Sequence, residues 1–266
     1  MLSLRKTITT SFTALAVMLA AVMLPAAAQA HSSTASGGGL KATLSYSGGP
    51  GITTKDERLA ITQNGKVVYN QPVPAAGCFK VCGPGDKQPV AVADLYGDGG
   101  EDVVLNLFSG GADCCTVADV FVSSAAVQSY VLDTHNFGEA GFKLENIGPK
   151  SRPLFVSANN EYYCSITDCA GSGLPLQIFE FEAERFVDVT TQYPKLIARD
   201  AAKWLAIYDR NPSQGQGAIA AWAGDDYLLG KTYQATVNTV LQRQHADHHL
   251  TLAFIKSLDK LLSKYP

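Results

Sequence analysis

Between residues 40 and about 189 the chain alternates short apolar runs with clusters of Gly, Pro and Asn, and no helical period intervenes. The runs 59–62, 66–69, 90–94, 102–108, 117–122, 154–157 and 176–181 have strand length and strand composition. Asn64 followed by Gly65, set between two of them, marks a tight hairpin, because this dipeptide tolerates the positive φ angles that such a turn requires. Turn signals at this spacing exclude a helical or α/β core for the segment and predict antiparallel, all-β structure.

The period changes at Tyr193. Pro194 suits a first helical position, and Ile197, Ala201, Trp204 or Leu205, and Tyr208 share one face until Asn211 and Pro212 end the run. Further helices are expected over 218–229, 232–244 and 247–265, the last with Leu250, Phe254, Leu258 and Leu261 on a stripe. The fold class read from these patterns is α+β. An N-terminal antiparallel all-β domain of propeller-blade-like hairpins, residues 40–192, precedes an α-helical region, residues 193–266.

The first thirty residues read as a secretory signal peptide. Arg5 and Lys6 precede an apolar stretch over 8–24, Pro25 breaks it, and Ala28, Gln29 and Ala30 form a small-x-small cleavage pattern. The stretch falls short of the roughly 20 apolar residues a membrane span needs, and no second run of that length follows. A secreted or periplasmic location with no membrane span after cleavage is therefore expected. Residues 31–39, polar and glycine-rich, read as a flexible leader.

Charge and cysteines fit export. The first thirty residues carry two of the 21 basic residues and none of the 24 acidic ones, so the remainder has a net charge of about −5, which argues against nucleic acid as a partner. In an oxidising compartment the even set Cys78, Cys82, Cys114, Cys115, Cys164 and Cys169 reads as three structural disulfides. Cys164 and Cys169 close a short loop on their own. The other four form two tight groups, and cross-links between the groups are favoured over closure of each group on itself, which would require a strained vicinal ring at 114–115.

One segment has a chemical signature. Asp94, Asp98, Gly99 and Asp102 occupy four of the five fixed places of Asp-x-Asp-x-Asp-Gly-x-x-Asp, a loop in which alternate oxygen ligands converge on calcium and Gly allows the sharp turn. A backbone carbonyl such as that of Gly100 would complete the shell. The loop resembles the FG-GAP and VCBS-type repeats of extracellular proteins, integrin alpha chains among them. That resemblance implies a strand-loop-strand hairpin and a bound Ca2+ held by Asp94, Asp98, Gly100 and Asp102. The stretches 155–160, 171–179, 186–190 and 193–194 resemble those of uncharacterised secreted bacterial proteins with FG-GAP-like segments, a likeness that carries over no catalytic residue. Tyr96 departs from the motif by standing where a carboxylate belongs. A fainter copy over 143–156 keeps the apolar frame with Asn146 as its single potential ligand.

Catalytic patterns are sparse. His245, Asp247, His248 and His249 form the only histidine cluster and read as solvated residues at a helix boundary; His135 is the other candidate base. Glu180, Glu182 and Glu184 read as the solvent side of an edge strand, although paired carboxylates on one face suit glycoside hydrolysis. The reading is an exported, non-catalytic binding or surface-interaction protein, stiffened by calcium, with a protein or glycan ligand. The alternative is a secreted or periplasmic hydrolase with dispersed acidic or histidine residues.

Overall fold

A computed structural model describes residues 30–49, 53–78, 82–85, 88–111, 114–124, 129–148, 152–247 and 250–264. The signal-peptide reading of residues 1–30 lies, except for Ala30, outside the described residues. Three antiparallel sheets follow one another along the chain. The first is a meander of β1 (Ala30–Gly37), β2 (Leu40–Ser47), β3 (Lys55–Gln63) and β4 (Lys66–Pro72). The second contains β5 (Gly83–Pro84), β6 (Val90–Ala93), β7 (Asp102–Gly111), β8 (Cys114–Ser124) and β9 (Ser129–Gly138), with β5 and β6 both pairing with β7. The third is a meander of β10 (Lys143–Glu145), β11 (Leu154–Ala158), β12 (Leu176–Glu182) and β13 (Arg185–Asp188). Helices α1 (Pro194–Arg210), α2 (Gln216–Leu228), α3 (Tyr233–Asp247) and α4 (Leu252–Leu262) complete the chain. The fold is thus α+β, with an all-β N-terminal region and a helical tail.

Burial patterns explain the layering. In β2, buried Leu40, Ala42 and Leu44 alternate with more accessible residues, as an outer sheet with one wet face requires. In β7, Val103, Val104 and Leu105 are buried in succession, because the middle sheet has both faces covered. Val103, Leu105 and Leu107 join Val117 and Phe121 against Leu44, Leu59 and Ile61 of the first sheet. Val104, Ala118, Val120 and Val122 join Phe155, Phe179 and Phe181 of the third. Leu154 and Ile178, on the remaining face of the third sheet, are covered by Val189, Tyr193 and Leu196 at the start of the helical tail.

The helices enclose a core of their own around Tyr208, Ile219, Val240 and Leu258. Helix α2 is buried from Gly217 through Asp225, and a Cβ at Gly217 would lie 1.9 Å from the carbonyl oxygen of Gly171, so glycine permits the helix to touch the β region backbone to backbone. The fourth helix starts later than expected, at Leu252, where the Thr251 hydroxyl accepts the Phe254 N–H and caps it.

Two expectations are corrected here. The residues read as a flexible leader form β1, paired with β2 from Ala30↔Ser47 to Gly37↔Leu40. Ser, Thr and Ala alternate there with half-buried positions, which suffices for an edge strand once β2 offers its backbone. The cysteine groups also do not cross-link: Cys78 bonds Cys82, their Cα atoms 5.3 Å apart. Cys164 bonds Cys169 as the spacing predicts. Cys115 is disulfide-bonded as well, while the side chain of Cys114 lies outside the described residues.

Candidate functional site

The calcium-like segment forms the turn between β6 and β7, paired from Val90↔Leu105 to Ala93↔Asp102. Its carboxylates are largely engaged by the turn's own backbone. Asp94 Oδ1 accepts the N–H groups of Gly97 and Asp98 at 2.6 and 3.1 Å, and Oδ2 accepts that of Gly99 at 2.8 Å. Asp98 Oδ1 accepts from the Gly100 N–H at 2.8 Å. Asp102 is buried and accepts from the Leu95 N–H at 3.3 Å. Burial pushes its carboxyl up to about 7, helped by Asp98, Asp94 and Glu101. Among the described residues no three His, Cys, Asp or Glu side chains converge as a metal-binding group.

Tyr96, the departure from the motif, has a different task. Its hydroxyl accepts the Glu184 N–H at 3.1 Å and its ring packs edge-on against Phe181. The contact holds the turn between β12 and β13, where Ala183 and Glu184 adopt φ of 50° and 61° without being glycine. Arg152 donates to the Tyr96 carbonyl and pairs with Glu180. Glu180 is buried on an inner strand, with β11 and β13 on the two sides of β12, so the solvent-side reading is corrected for Glu180, while Glu182 and Glu184 are exposed. His245 and Asp247 fall in the last turn of α3, and His248 and His249 lie outside the described residues.

Two concave surfaces flank this framework. A cleft of about 880 Å³ lies between the second and third sheets. Ala91, Ala93, Val104, Phe108, Phe142 and Leu144 give it apolar walls, and Gln88, Asn106, Asn146, Lys143 and Glu145 supply amides and a pair of opposite charges. It is bounded by β6, which among the described residues pairs with β7 and has β1 and β2 packed against it, and by β10, the outermost strand of its sheet. A smaller cavity of about 570 Å³ lies where β9, β12, β13 and the end of α4 meet, with His135 in its lining. Burial lowers the His135 imidazole below its ordinary value against the pull of Asp133 and Asp188.

A third constellation left no mark in the sequence. Glu57 of β3 and Asp119 of β8 both lie within the first two sheets, each with a buried oxygen that has no hydrogen-bond partner. Burial raises Asp119 to about 6 although the Thr134 hydroxyl donates to it at 2.7 Å. Burial and then Asp119 raise Glu57 to about 7. Because these carboxylates sit at alternate positions of ordinary strands, only the pairing of sheets brings them close. The cleft residues were hidden for the same reason, since β6 and β10 are some fifty positions apart. Comparison with protein-family models, curated proteins and solved structures finds no match for the chain.

Proposed function

We propose that the chain is an exported, non-catalytic binding protein that holds an extended polypeptide in the cleft between β6 and β10. The supporting observation is the nature of the two boundaries. Among the described residues β10 pairs with β11 only and β6 with β7 only, although β1 and β2 pack against β6, and an unpaired strand edge is a template for another strand. The apolar walls would take alternate side chains of the ligand, while Asn106, Asn146, Lys143 and Glu145 would bind its polar groups. The described lining offers amides and one opposite-charge pair rather than a nucleophile beside a base, so binding is a better use of it than catalysis.

Export is supported by the disulfides at Cys78–Cys82 and Cys164–Cys169 and by the apolar amino-terminal segment. Among the described residues no helix is long and apolar enough to cross a membrane. Calcium belongs to the same proposal. Asp94, Asp98 and Asp102 stand in one turn, and Asp102 is raised first by burial and then by its acidic neighbours, so a divalent ion there would offset the acidic repulsion and stiffen the β6–β7 hairpin that walls the cleft.

The test is selection of unstructured peptides from a random library against the oxidised chain, followed by competition with Ala93→Trp, which fills the cleft. Enriched peptides are expected to bind the parent chain and lose at least about tenfold in affinity for the variant, the equivalent of ~1.4 kcal/mol. Peptides that bind both proteins equally would remove the cleft from consideration.

A further inference from the structure

The smaller cavity has a chemistry of its own, independent of the cleft. Four of its side chains are held in fixed orientations by bonds to neighbours. Asn136 Oδ1 accepts the Gly138 N–H at 2.8 Å, and Asn160 Oδ1 accepts the Glu139 N–H at 2.9 Å. Both amides are thereby pinned through their oxygens, and their amino groups have no partner among the described residues. Gln177 is pinned the other way round. Its Nε2 donates to Asp188 Oδ2 at 2.9 Å, which leaves Oε1 as an acceptor. Asp188 is itself fixed by the N–H and hydroxyl of Thr190 on Oδ1, at 2.9 and 2.5 Å.

The lining thus offers two amide donors, an amide acceptor and a carboxylate acceptor beside the rings of Phe179 and His135. The rings lie close together, their centroids 4.6 Å apart. The backbone is shaped for the arrangement as well. Gly138 has φ 61°, and a Cβ there would come within 2.1 Å of the Asn160 side chain. Any other residue would displace Asn160.

The mixture of donors and acceptors selects the ligand. An anion would meet Asp188 and Glu161, with Lys264 already paired to Glu161 at 2.6 Å. A cation would meet the two amide amino groups. A sugar hydroxyl both donates and accepts, and the apolar face of a sugar ring stacks on an aromatic ring. We propose that this cavity binds a neutral saccharide, with Asn136, Asn160, Gln177 and Asp188 as its polar contacts and the half-buried His135 ring as its apolar wall. The volume of about 570 Å³ is within the range of small-ligand sites. Leu261 and Lys264 close the far side, so the bound sugar would also touch the end of the helical tail.

The experiment is NMR titration of the oxidised chain with D-glucose, D-galactose and N-acetyl-D-glucosamine, with D-glucuronate and D-glucosamine as charged controls. At least one neutral sugar is expected to shift the side-chain amide signals of Asn136, Asn160 and Gln177 saturably, and more tightly than either control. The double variant Asn136→Asp/Asn160→Asp keeps both pinning oxygens and removes both donors. It should fold with an unchanged circular dichroism spectrum and lose about tenfold or more in affinity, two neutral hydrogen bonds' worth. Gln177→Met, which preserves length, should weaken binding independently. Binding that survives the double variant, charged sugars that bind as well as neutral ones, or no shift with any of the three neutral sugars would overturn the assignment. Peptide binding in the β6–β10 cleft should be untouched by these substitutions, so the two sites fail or succeed separately.

Discussion

At Asp119 the first two sheets enclose a carboxyl that is fully buried, raised to about 6 and faced by Glu57, raised to about 7. A raised carboxyl means that the folded state binds more protons than the unfolded one. The stability it contributes is complete below its ordinary value near 4 and is lost as pH rises through 6 to 7. Thermal unfolding measured from pH 5 to pH 8 should therefore show a falling midpoint, and Asp119→Asn should flatten the profile. The variant should gain on the order of 2 kcal/mol at pH 8, because Asn keeps the oxygen that accepts from Thr134 and never ionises. A midpoint that rises over this range would contradict the assignment. Tyr96 carries a second prediction at this scale. Tyr96→Phe removes the acceptor for the Glu184 N–H while keeping the ring on Phe181, and a loss of about 1 kcal/mol in denaturant unfolding is expected.

The β6–β7 hairpin was legible in the sequence because its signals are local: Asp and Gly at fixed spacing between two apolar runs. The calcium proposed for it is tested by thermal unfolding in EDTA and then in millimolar calcium, where a rise of several degrees abolished by Asp98→Ala is expected. Identical curves would leave the turn to the three backbone N–H groups that Asp94 accepts. Other elements were less legible. Strand β9 carries Asp133, His135 and Asn136 within its run, and these interrupt the apolar alternation that marks a strand; the ladder to β8 overrides them. Strand β1 was hidden by its small polar residues, which have little strand signal until β2 lies beside them. At the turn that ends β9, Gly138→Ala should destabilise the fold and displace Asn160, visible as loss of protection of the Glu139 amide in hydrogen exchange.

Across the whole molecule, an all-β region followed by helices was legible in the sequence, but not how the strands divide into three sheets or how these stack, since that depends on which face of each strand meets which neighbour. The middle sheet is covered on both faces, the third sheet is covered by the helical tail, and neither concave surface is assembled from residues adjacent in sequence. The short disulfide loops at Cys78–Cys82 and Cys164–Cys169 each constrain the unfolded chain by only about 2 kcal/mol. Reduction should therefore lower the unfolding midpoint without abolishing the folded state. Binding in the cleft is tested by hydrogen exchange on the chain with and without a selected peptide. Slowed exchange of the outward-facing amides of β6 and β10, with the rest of the protein unchanged, is the result expected for a ligand that pairs with those strand edges. Protection confined to other surfaces, with β6 and β10 exchanging as before, would contradict it.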